Sequence, residues 1–110
     1  MFSRTSLFKP INTMNKYAIL ARLEAKSGKE AELEAFLKSA LPLAQAEAGT
    51  NLWFALKIGP STFGIFDTFS DEAGRKAHLD GPIAAALMAK ADELLSAPPT
   101  LEMVDVLAEK

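Results

Sequence analysis

Asn51-Leu-Trp-Phe-Ala-Leu-Lys-Ile58, the turn Gly59-Pro-Ser61, and Thr62-Phe-Gly-Ile-Phe-Asp-Thr-Phe69 together decide how this chain folds. Both flanking stretches are rich in aromatic and aliphatic residues, and the composition between them is that of a hairpin turn. Register is the open question. If Ile58 pairs with Phe63 across a four-residue loop, then Leu52, Phe54, Leu56 and Ile58 share a face with Phe63, Ile65, Asp67 and Phe69. A three-residue loop mixes the two sets, because a slip of one residue turns every side chain of one strand over. In either register both faces are too apolar for a sheet with one side in water. One side is therefore expected to meet helices and the other a second copy of the chain.

Working outward, Tyr17-Ala-Ile-Leu-Ala-Arg-Leu-Glu24 alternates as a strand, with Tyr17, Ile19, Ala21 and Leu23 on one face. Ser27 and Glu30 have the spacing of a capping box, which opens a helix carrying Leu33, Phe36, Leu37, Ala40, Leu41 and Ala44. Pro42 is expected to kink or shorten that helix, since it removes an amide donor and crowds the preceding turn. After the hairpin, Ser70-Asp71 starts a second helical region that breaks at Asp80-Gly81-Pro82 and resumes with Ile83, Leu87, Ala91 and Leu94. Leu101 to Leu107 reads as a last strand. The order strand, helix, strand, strand, helix, strand predicts an α+β fold of ferredoxin-like type, βαββαβ, with an antiparallel sheet.

Composition sets the outer bounds. The chain has 110 residues, 49% of them hydrophobic, a net charge of -2 and no cysteine. That predicts one domain over residues 15–110, preceded by a flexible leader at 1–14, with Met14 readable as an alternative start. Disulfides and thiol chemistry are excluded, and a cytoplasmic location suits such a chain. The mild acidity argues against a nucleic-acid partner, and no apolar run is long enough to span a membrane. A lone histidine with scattered carboxylates has no metal-ligand spacing, so no metal is expected.

The candidate site follows from the few polar groups set among the aromatics. His78, the only histidine, and Asp67, a carboxylate inside an apolar strand, are the candidate catalytic residues. The histidine has the intrinsic pKa of a base at neutral pH, and a buried carboxylate needs a partner. Asn51, Trp53, Phe66, Phe69 and Arg75 are the candidate ligand-binding residues: an amide, an indole N–H, two ring walls and a cation one helical step before His78.

These residues resemble the antibiotic biosynthesis monooxygenase domain of the dimeric α/β barrel class. The likeness covers nearly all of Tyr17 to Lys110: Ala48-Gly49-Thr50 before a Trp-containing strand, the Phe63 to Phe69 strand, Arg75-x-x-His78-x-x-Gly81 and the closing Val104-Asp105-Val106. It implies a homodimer with facing sheets, and oxidation by O2 of a small hydroxylated aromatic or quinol-type compound, without a cofactor. Where quinol-oxidising members place Asn and Trp on the third strand and Tyr in the following helix, this chain has Ile65, Phe69 and Arg75. The alternative is a non-catalytic dimeric domain that binds a similar hydrophobic molecule.

Overall fold

The computed structural model describes residues 14–110, so the leader read at 1–14 lies, Met14 apart, outside the described residues. Strand β1 (Tyr17–Glu24) leads to helix α1 (Glu30–Ser39), short helix α2 (Leu41–Gln45), strands β2 (Leu52–Lys57) and β3 (Thr62–Phe69), helices α3 (Glu72–Leu79) and α4 (Pro82–Leu94), and strand β4 (Thr100–Asp105). The strands form one open four-stranded sheet in the order β2-β3-β1-β4, antiparallel throughout. This is the ferredoxin-like α+β fold, with β1 and β3 at the centre of its sheet.

Local chemistry sets most boundaries. Asp71 caps α3 by accepting a hydrogen bond from the Gly74 amide at 2.8 Å, and Pro82 occupies the first turn of α4, where a missing amide costs little. Pro42 sits in the first turn of α2, and the helical run divides at Ala40. The capping box at Ser27 does not form as expected. Ser27-Gly28 turns instead, Gly28 taking φ +86°, and α1 starts at Glu30 with Lys29 in the cap position. Glu30 still reaches back, its carboxylate accepting from the Gly28 amide at 3.0 Å.

The hairpin takes the three-residue loop. The Ile58 amide donates to the Thr62 carbonyl at 2.8 Å, and Trp53 stands opposite Asp67, Ala55 opposite Ile65 and Lys57 opposite Phe63. The four-residue alternative would have put Trp53 on the other face. The helix-covered face therefore carries Trp53, Asp67, Ile65, Ile19 and Ala21, continuing through Leu101 and Met103 on β4. Its core is a cluster of Leu23, Leu33, Leu37, Phe63, Leu87 and Leu94 with their neighbours, and a smaller one of Ala40, Ala44 and Ile83. Trp53 packs against both. The opposite face is open and apolar: Leu52, Phe54 and Ile58 are 46%, 47% and 45% exposed.

Candidate functional site

Between the covered face of the sheet and helices α3 and α4 lies a cavity of about 320 Å³. Ile19, Ile65, Ile83 and Leu87 make its walls, Pro98 and Pro99 border it, and the exposed Met88 and Leu101 stand at its rim. Only two of its lining residues are charged or titratable, Asp67 and His78. A largely apolar space with a few convergent polar groups is the usual composition of a small-molecule site, and this volume falls at the small end of the usual range.

Three segments build the polar end. β3 supplies Asp67, only 1% exposed; α3 supplies His78, 7% exposed; the loop after α2 supplies Glu47. His78 Nδ1 lies 2.6 Å from Glu47 Oε1, and Nε2 lies 2.8 Å from Asp67 Oδ2. The imidazole thus lies between two carboxylates, with the Phe69 ring tilted against it at a centroid distance of 5.5 Å. Burial alone would drive His78 toward its neutral form, but the carboxylates on its two nitrogens outweigh that and raise its pKa from 6.5 to about 9. At neutral pH the residue is an imidazolium.

The carboxylates are less well served. Neither Asp67 oxygen has hydrogen-bond geometry to a partner among the described residues, so the contact with His78 is an ion pair of charge more than of direction. Glu47 Oε1 also accepts from the Thr50 hydroxyl at 2.7 Å, whereas its Oε2 is buried without a partner. A buried acceptor left unmade costs about 1–3 kcal/mol. In Asp67 that unfilled capacity belongs to a residue lining the cavity, where a ligand's donor can fill it.

Trp53 lies on the Asp67 face with its Nε1 buried and without a partner among the described residues. Phe69 backs His78. Phe66 is on the open face, opposite Phe54 and Leu20. Asn51 joins a polar network at the end of the sheet, its amide nitrogen donating to Ser70 Oγ at 2.9 Å and to Asn15 Oδ1 at 3.1 Å. Arg75 donates from Nη1 to the carbonyls of Ala18 and Val104 at 3.3 and 3.4 Å and stacks over the Tyr17 ring at 5.1 Å. The structure thus brings Asp67 and His78 to the cavity and sets Asn51, Phe66 and Arg75 elsewhere.

Nothing in the sequence marks Glu47. It stands between alanines in Gln45-Ala-Glu-Ala-Gly49 with no motif spacing to mark it, and His78 is 31 positions away. Two glycines put it in place. A Cβ on Gly74 would stand 2.8 Å from the Gly49 carbonyl oxygen, and one on Gly49 would stand 3.0 Å from Gly74 Cα. Only with hydrogen at both positions does the loop settle on the first turn of α3, with Glu47 against His78.

No family model matches the chain, and no curated protein matches it. Among the described residues no group of three His, Asp or Glu side chains could hold a metal ion, and no helix is long and apolar enough to cross a membrane. Solved structures are informative. A candidate antibiotic biosynthesis monooxygenase from Nitrosomonas europaea superposes with a TM-score of 0.75 at 13% identity, over 84% of this chain and 91% of its own. Another, from Caulobacter crescentus, gives a TM-score of 0.72 at 17% identity, over 87% and 93%. Likeness at such identities establishes the fold. The protein of unknown function NE2512 from Nitrosomonas europaea is 66% identical, with a TM-score of 0.87 over 89% of this chain and 95% of that one. The chain therefore belongs to the same family as NE2512, and its fold is that of the antibiotic biosynthesis monooxygenase domains.

Proposed function

We propose that the protein is a small monooxygenase that oxidises a hydroxylated aromatic or quinol-type compound with O2 in the cavity between the sheet and α4. The observation that carries this reading is the cavity-lining carboxylate of Asp67, buried, unfilled by any hydrogen bond among the described residues and paired with an imidazolium. A phenolic hydroxyl donates to Asp67, which takes its proton as electron density leaves the ring for oxygen. The His78 cation beside it stabilises the negative charge that develops on the substrate. For a naphthol the balance is C10H8O + O2 → C10H6O2 + H2O. A ring C–H becomes C=O, four electrons pass from substrate to oxygen, one oxygen atom enters the quinone and the other leaves as water. The apolar walls exclude bulk water from the substrate anion.

A second copy of the chain is proposed to cover the open face of the sheet. Leu52, Phe54 and Ile58 leave an apolar surface there that a monomer in water holds at a cost. Non-catalytic binding is the second reading, favoured by one observation: both His78 nitrogens face carboxylates, which leaves oxygenation only Asp67 as a proton acceptor among the described residues that line the cavity. Oxygen uptake by purified protein over a panel of hydroquinones and naphthols tests the two. A rate above the buffer blank that is lost in Asp67→Asn supports oxygenation. Uptake no faster than the blank, with quenching of Trp53 fluorescence by the same compounds, replaces it with the binding reading.

A further inference from the structure

We propose that Glu47 is a positioning residue of this site, holding His78 as a fixed cation beside Asp67. The geometry carries this. Glu47 Oε1 engages Nδ1 of His78 at 2.6 Å, and on the cavity side Nε2 lies 2.8 Å from Asp67 Oδ2. Glu47 is itself held: Thr50 donates to the same oxygen at 2.7 Å, and Gly81 leaves room for the other, a Cβ there standing 3.3 Å from Oε2. With Asp67 it brings two carboxylates to one imidazole, so removing Glu47's charge leaves the cation with one counter-charge instead of two. A negatively charged partner on the far nitrogen fixes both orientation and protonation of an imidazole.

Among the described residues no other charged group touches the ring. α4 and β1, which pack against α3, present Ile83, Leu87 and Ile19 to the cavity, and β3 presents Asp67 between Ile65 and the Phe69 ring. Arg75, on the same helix as His78, is turned to the carbonyls of Ala18 and Val104 and pairs with Glu72 at 3.6 Å. Among the described residues Glu47 is thus the one charged group placed to balance Asp67 from the opposite side. The consequence for substrate rests on the oxygenation reading: two acidic side chains meet one imidazole here, which favours a neutral hydroxyl compound over its carboxylate analogue. The consequence for His78 does not rest on it.

Because the chain has one histidine, its ring resonances report on this cluster without assignment ambiguity. NMR titration of the ring in the full chain is expected to show a midpoint near 9, with the Nδ1 and Nε2 signals of an imidazolium at pH 7. Glu47→Gln keeps the shape and a hydrogen-bond acceptor but removes the charge, so a merely structural role would leave the midpoint in place. The expected result is a fall of about one unit or more, since one of two ion-pair partners is lost. An unchanged midpoint in a variant with wild-type circular dichroism overturns the proposal. Should the Gln variant not fold, Glu47→Asp moves the charge away by one methylene and is expected to lower the midpoint by less; no fall there overturns it equally. Oxygen uptake is read on the same samples. A midpoint that moves in a protein showing no uptake removes the oxygenation reading and leaves Glu47's role intact.

Discussion

The two faces of the sheet break opposite rules. On the covered face Asp67, His78 and Glu47 bring three ionisable groups out of water into an otherwise apolar core, and a buried charge is costly unless paired. On the open face Leu52, Phe54 and Ile58 keep apolar surface where water reaches it. Strand alternation produces both at once, because one hairpin sends Trp53 and Asp67 inward while Leu52 and Phe54 point outward. A buried carboxylate lining a cavity suits a ligand, and an apolar face kept in water suits a protein surface.

Removing the charge from the covered face is the most severe way to break that contrast. Asp67→Ala leaves His78 with Glu47 alone and opens space in the core, and is expected to destabilise the fold by about 3–5 kcal/mol at pH 7 in urea titrations. A loss below about 1 kcal/mol would show that the ion pair is not formed. Next in size is the pH dependence of the intact cluster. The pKa of His78 is raised on folding from 6.5 to about 9, so its stabilisation is complete below about pH 6.5 and is lost as pH rises through about 9. Allowing for solvent screening, unfolding free energy is expected to fall by about 2 kcal/mol across that window. His78→Leu should flatten the profile there, and a wild-type curve already flat would remove the cationic cluster.

Gly74→Ala sharpens the question of how Glu47 is held. Alanine favours the helix by up to about 1 kcal/mol, yet its methyl would overlap the Gly49 carbonyl oxygen, so a net loss of about 1–2 kcal/mol is expected, with a lower His78 midpoint by NMR. A stabilised variant with an unmoved midpoint would detach the glycine contact from the site. The smallest effect on stability belongs to the open face. Phe54→Lys should change the stability of dilute protein by about 0.5 kcal/mol or less while halving the mass seen by sedimentation equilibrium. Wild-type protein sedimenting as a single chain would overturn the two-copy proposal for that face.

Much of the frame could be read without coordinates. Asp71, Pro82 and the Asp80-Gly81 break marked the two later helices correctly, because caps and prolines act within one turn of chain. The capping box at Ser27 failed for a related reason: a glycine directly after the serine favoured a turn, and the helix began later at Glu30. Asp67 and His78 were recognisable as odd residues for their surroundings, but their common cavity was not. Asn51 and Arg75 carry equally suggestive chemistry, and the fold directs both to backbone and side-chain partners at the sheet ends.

Alternation, helical spacing, caps and breakers depend on neighbours a few residues apart, and they suffice to give the elements and their order. Tertiary structure alone decided three things: the hairpin register that put Trp53 beside Asp67, the glycine contact between two distant segments, and the arrival of Glu47 at His78. Each depends on how separate elements pack, and packing at ångström tolerance is set by the whole set of contacts together, which no local pattern along the chain encodes.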